Sequence, residues 1–121
     1  MRPAALRIAF ALCLLAVAGR SGAQIVPTGF TDSIVISGLD LPTAFEILPD
    51  GRVLAVEQLS ANVRLAVNGV LGPNSIVLSV PDVTNNNERG LLGIAADPAF
   101  PAKPYIYTHQ TEAGDVIKIS R

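Results

Sequence analysis

The run Asn85–Phe100, N-N-N-E-R-G-L-L-G-I-A-A-D-P-A-F, changes character at its sixth residue. Its first five residues are three amides, an acid and a base, and the next seven, Gly90 to Ala96, are all apolar or glycine. Such a shift marks a loop feeding a buried segment. The short apolar run Leu91, Leu92, Ile94, Ala95 fits a strand covered on both faces and equally a piece of buried helix. Length and flanks decide for the strand: Gly90 and Gly93 each weaken a helix by about 1 kcal/mol relative to Ala, and Asp97-Pro98 stops the segment. A loop carrying Glu88 and Arg89 is therefore placed at the N-terminal mouth of an interior strand. There the two opposite charges either meet a ligand or pair with each other.

Working outward, Tyr105–His109 and Val116–Ser120 are the next strand candidates on the C-terminal side. On the N-terminal side, Asn62–Val67 alternates Val63, Leu65 and Val67 with polar or small residues and runs into Asn68-Gly69, whose two residues suit the positive φ angles of a type I′ turn. Ile76–Val80 supplies a further strand. Thr43–Leu48 and Val53–Glu57 form a hairpin about Pro49-Asp50-Gly51-Arg52, where proline presets the first corner and Gly51 accepts positive φ. Asp32–Ser37 is β-branched at its centre and reads as a strand closed by Gly38, after a short lead, Gln24–Thr31, containing Pro27 and Gly29. No segment after Ala23 sustains a 3.6-residue apolar period, so the fold class is all-β. The order also starts again: Gly90–Ala96 answers Thr43–Leu48, Tyr105–His109 answers Val53–Glu57, and Val116–Ser120 answers Asn62–Val67. A period of roughly 47 residues with about four short strands per unit is the shape of a β-propeller blade. A β-sandwich with regular hairpins gives a similar string, and the period is what favours the propeller.

The chain has 121 residues, half of them apolar, and no Trp. Residues 1–23 have the layout of a secretory signal peptide: Arg2 and Arg7 at the start, an uninterrupted apolar stretch Ile8–Ala18, and small residues at Ser21-Gly22-Ala23. That stretch rises only about 16 Å as a helix against roughly 30 Å of hydrocarbon, which favours export over a retained span. The mature domain is then 24–121, periplasmic or secreted, with no membrane span after cleavage. The single cysteine, Cys13, lies inside the apolar stretch, so the mature chain has none and cannot be held by disulfides. Six Lys plus Arg remain against ten Asp plus Glu, a net charge of −4, which speaks against a nucleic-acid surface.

Other candidate groups have plainer explanations. His109, the sole histidine, lies in a strand without a recognisable tuning partner. Asn85, Asn86 and Asn87 with Asp82 offer oxygen atoms, yet the alternating acidic pattern of a dedicated calcium loop is missing, and a solvated loop is expected. Asp50 and Asp115 read as turn acids with no partner nearby in sequence. Tyr105 and Tyr107 share one strand face, as i and i+2 must, and suit packing. No Ser/His/Asp order, paired-cysteine metal motif or phosphate loop follows Ala23.

Taken together, Gly38-Leu39, Pro42–Phe45, Leu48–Leu54, Glu57-Gln58, Asn68-Gly69 and above all Glu88–Ala95 with Asp97-Pro98 and Phe100 resemble the N-terminal part of the glucose/sorbosone dehydrogenase family. These are soluble sugar dehydrogenases dependent on pyrroloquinoline quinone (PQQ), built as six-bladed propellers. The resemblance runs from about Ser37 to Arg121. It implies oxidation of an aldose at its anomeric carbon to the lactone, with PQQ and calcium as cofactors and an electron acceptor as partner. Propellers close with about four to eight blades, whereas the mature chain holds about two. The expectation is therefore a fragment, inactive alone, whose catalytic histidine, quinone-binding groups and metal ligands lie on later blades. No catalytic or metal-binding residue is assigned within it. In the family's glucose-oxidising members a glutamine stands in the substrate cleft just before the x-G-L-L-G run, and Glu88 occupies that place here. Glu88 is thus the candidate substrate-binding residue, with an ordinary ion pair as its alternative. The rival reading for the whole is a non-catalytic secreted propeller that binds carbohydrate or protein.

Overall fold

In a computed structural model, residues 26–121 are described, so the signal-peptide segment 1–23 and Cys13 lie outside the described residues. The described residues fall into two units divided between Asp32 and Ser33, the second running Ser33–Arg121. In the first, Phe30 N–H donates to the Pro27 carbonyl at 3.0 Å, closing a turn.

The second unit holds seven strands: β1 (Pro42–Ile47), β2 (Val53–Glu57), β3 (Asn62–Val67), β4 (Val70–Ser79), β5 (Leu91–Ala96), β6 (Ile106–Glu112) and β7 (Val116–Ser120). They form two antiparallel meanders, β1-β2-β3-β4 and β5-β6-β7. Turn chemistry sets the first. At the β1–β2 corner Gly51 takes φ 84°, and Leu48 N–H donates to the Arg52 carbonyl at 2.8 Å. Asp50 caps the corner by accepting from Arg52 N at 3.1 Å and from Arg52 Nε at 2.8 Å. Asn68 and Gly69 have φ 51° and 77°, the two positive values a type I′ turn requires. A Cβ on Gly69 would also lie 2.7 Å from the Val35 carbonyl oxygen, so the position is closed to larger residues.

The fourth strand starts earlier than its β-branched centre suggests. Residues 70–75 continue straight from the turn, and the register slips between Arg64↔Ile76 and Ala66↔Leu71, which leaves Pro73 at a bulge rather than in the ladder. Asp32–Ser37, expected as a strand, forms none. No strand among the described residues offers it a ladder, and Val35 and Ile36 instead line an apolar hollow with Phe45, Ile47, Val53 and Ala55 on the outer face of the first sheet.

The core lies between the two sheets. Leu54, Val56 and Val63 from the first sheet meet Leu91 of the second, flanked by Leu48, Ala61 and Val80. Each such side chain contributes about 1.5–3 kcal/mol when fully removed from water. Leu91 is the joint: it is fully buried, its carbonyl accepts from Thr43 Oγ1 at 2.7 Å, and its N–H donates to the Gln58 carbonyl at 3.1 Å. Beyond Leu91 strand β5 is only half-buried, with Ala95 exposed, because nothing among the described residues covers the outer face of the second sheet.

Candidate functional site

The loop between the sheets, Asn85–Gly90, is fixed at both ends and in the middle. Asn85 Nδ2 donates to the Leu59 carbonyl at 2.6 Å. Thr84 N–H donates to the Thr111 carbonyl at 2.8 Å, and Thr111 N–H to the Gly90 carbonyl at 3.0 Å. In the middle, Gln58 Nε2 reaches the carbonyls of Asn87 and Arg89 at 3.0 and 3.1 Å. Asn86 to Arg89 make a turn, with Arg89 N–H on the Asn86 carbonyl at 3.0 Å and Asn87 at φ 53°.

Glu88 sits at the exposed tip of this turn. The pairing with Arg89 that the sequence offered is not made. Arg89 turns instead to Asp115 in the β6–β7 hairpin and donates from Nη1 to Asn86 Oδ1 at 3.1 Å. Among the described residues no cation pairs with Glu88. Its carboxylate is thus an acceptor facing solvent, with no internal donor to compete for it. Asp115, which has no partner near it in sequence, finds one in space. The asparagines, expected as a solvated loop, are in part structural: Asn85 and Asn86 spend side-chain atoms on the protein itself.

The other candidates are placed elsewhere. His109 is half-buried in β6 opposite Gly93, where a Cβ on that glycine would lie 3.2 Å from the histidine Cβ. Close approach of the His109 side chain accounts for Gly93, and the imidazole makes no side-chain hydrogen bond among the described residues. Tyr107 donates to Asp97 Oδ2 at 3.0 Å. Asp97 is held below the usual carboxylate range by the Ala99 N–H and by Tyr107, whose phenol is in turn raised by that hydrogen bond. The D-P-x-F segment is therefore a braced turn. Tyr105 is exposed, with the Arg121 guanidinium 4.6 Å over its ring.

Two features belong to Glu57-Gln58, a pair the sequence marks only through the family resemblance, with nothing to say what either side chain does. One is the Gln58 clamp. The other is the buried Glu57, which accepts from Arg64 Nη1 at 2.8 Å, Ser60 Oγ at 2.9 Å and the Asp40 N–H at 3.1 Å. Burial alone raises its pKa, and these donors outweigh that effect and hold it below the ordinary value. Arg64 also donates twice to Ser75 Oγ, at 2.8 and 3.1 Å, so the ion pair is set in a network.

Residues 39–119 match the family described as Glucose / Sorbosone dehydrogenase. The chain belongs to this family. It is 33% identical over 84 residues to quinoprotein glucose dehydrogenase B of Acinetobacter calcoaceticus, an alignment covering 68% of this chain and 17% of that protein. An uncharacterised Synechocystis protein is 29% identical over 97 residues, covering 72% of this chain and 23% of its own length. Among solved structures, the PQQ-bound aldose sugar dehydrogenase of Streptomyces coelicolor aligns with a TM-score of 0.65 at 30% identity. A Thermus thermophilus oxidoreductase described as a glucose dehydrogenase aligns at 0.60 and 34%. Each structural alignment covers 72% of this chain and 25% of the other. The chain thus spans about a sixth to a quarter of the relatives it matches, and its four- and three-stranded sheets are about the first two blades of the glucose/sorbosone dehydrogenase propeller.

A quinone bearing carboxylates calls for free cations; Arg52, Arg64, Arg89 and Lys118 are each paired with a carboxylate of this chain, whereas Lys103 and Arg121 are in none of these pairs. Among the described residues no three His, Cys, Asp or Glu side chains converge as metal ligands.

Proposed function

We propose that this chain supplies the first two blades of an exported, PQQ-dependent aldose dehydrogenase that oxidises the anomeric carbon of a sugar to the lactone. The observation that carries the reading is the E-R-G-L-L-G-I-A segment, which presents an unpaired Glu88 on a pinned loop in a chain of the glucose/sorbosone dehydrogenase family. Two of the relatives support it: a quinoprotein glucose dehydrogenase and a PQQ-bound aldose sugar dehydrogenase.

Within this scheme a quinone, when bound, would supply the redox chemistry, taking up two electrons from the sugar for an external acceptor. Quinone-binding groups, calcium ligands and the proton-accepting base are assigned to the remaining blades. The part played by these residues is binding. Glu88 accepts hydrogen bonds from sugar hydroxyls, and its rigid loop fixes where those hydroxyls lie, which is how a protein contributes orientation to cofactor chemistry. Residues 1–23 direct the protein to the periplasm or outside the cell, and the net negative mature chain offers nucleic acid no basic surface.

The test is dye reduction by the full-length protein loaded with PQQ and calcium, with a panel of aldoses and detection of the lactone. Sugar-dependent reduction that requires the quinone is expected. A loaded, folded protein silent towards every aldose would overturn the enzyme reading and leave a carbohydrate- or protein-binding propeller.

A further inference from the structure

We propose that Gln58 is the positioning residue for the Glu88 carboxylate, an inference that rests on the sugar-dehydrogenase reading above. Gln58 follows the last residue of β2, the strand buried along nearly its whole length, so its backbone is anchored in the first sheet. Its own N–H donates to the Leu41 carbonyl at 3.0 Å, and its carbonyl accepts from Leu91 N at 3.1 Å. The side chain then reaches across to the loop. Both amide hydrogens go to loop carbonyls that bracket Glu88-Arg89, those of Asn87 and Arg89.

The other tethers act on the loop ends, at Thr84, Asn85 and Gly90. Gln58 ties the Asn87–Glu88 and Arg89–Gly90 peptides to the first sheet, and the Glu88–Arg89 peptide between them is closed only within the turn, by Arg89 N–H on the Asn86 carbonyl. The loop is also pressed against it: a Cβ on Gly90 would lie 2.5 Å from the Gln58 carbonyl oxygen and 2.7 Å from Gln58 Cγ. Because the Glu88 side chain has no polar partner among the described residues, its origin is set by these backbone units. Loss of the two donors releases the turn at the point where the sugar contact begins.

Gln58→Met keeps the length and removes both donors. In the full-length, quinone-loaded protein it is expected to raise the KM for aldose on the order of tenfold with a smaller change in kcat, as misplacement of a binding group does. In a Glu88→Ala background the same substitution should leave KM nearly unchanged, because the group it positions is gone. Amide hydrogen exchange at residues 87–91 should accelerate in Gln58→Met in both backgrounds. An equal KM effect in both, or no KM effect, would overturn the proposal, as would unchanged exchange in the loop. If the parent protein oxidises no aldose, the enzyme reading and the positioning role fall together. Faster loop exchange in the variant would then show that the clamp is structural only.

Discussion

At the scale of single residues, the informative contrast is between two glutamates. Glu57 is 2% exposed and ringed by donors; Glu88 is exposed and has no partner among the described residues. Burial without compensation is costly for a carboxylate, so removing the partner of Glu57 should hurt more than altering Glu88. Arg64→Met is expected to destabilise the protein by about 3–5 kcal/mol, read from denaturant midpoints. Glu57 also makes stability depend on pH. Its folded pKa lies below the ordinary value of 4.5, so the stabilisation is present above that value and is lost as pH falls through the folded pKa. A Glu57→Gln variant should therefore show a flatter loss of stability below pH 4.5 than the parent, measured by urea denaturation at stepped pH. Glu88→Gln, in contrast, should leave stability within about 0.5 kcal/mol and change the sugar KM, because an amide donates as well as accepts. Unchanged kinetics with a lowered melting temperature would make Glu88 a structural carboxylate.

At the scale of elements, hairpins were legible and contacts between them were not. Asn68-Gly69 and Pro49–Arg52 carry their conformation in local residue chemistry, so β1, β2 and β3 fall close to where the sequence puts them. Strands β5 and β7 follow likewise from their apolar and β-branched runs. Asp32–Ser37 shows the limit of such reasoning: a β-branched run becomes a strand only where another strand lies beside it. Long-range partners were invisible for the same reason. Arg89 chooses Asp115 over its neighbour Glu88 because the β6–β7 hairpin folds back to the loop, a fact of tertiary structure. Gln58 belongs to a pair that resembles the family, yet a lone amide at a strand end does not say what it reaches, although Gly90 bears its imprint. Gly90 has φ 146° and no room for a Cβ. Gly90→Ala is expected to cost about 1–3 kcal/mol in strain, with further loss from displacing the loop. Gly72→Ala, where nothing lies within 4 Å, should cost little. A thermal melt of the two variants checks this, and equal melting temperatures would contradict the close approach described here.

At the scale of the whole molecule, the second unit buries apolar side chains between its sheets and leaves others bare on their outer faces. Phe45 and Ile47 on the first sheet are 67% and 62% exposed, and Ile117 and Ile119 on the last strand are 61% and 72%. Scattered single hydrophobics need no explanation, but rows on opposite flanks of a two-sheet unit do. The propeller supplies one, since each blade packs on the next and a blade at either flank of this unit would cover these rows. The same rows determine how the 121-residue chain behaves alone. Uncovered apolar faces and unpaired strand edges favour dye binding and association. The isolated chain is expected to bind an apolar fluorescent probe and to elute from a sizing column above its monomer mass. Replacing Ile117 and Ile119 by Thr keeps β-propensity while removing apolar surface, and should reduce both signals without lowering the melting temperature by more than a few degrees. A chain that elutes as a monomer and leaves the probe dark would mean that these faces are covered from within, and the two sheets would then not be blades awaiting neighbours.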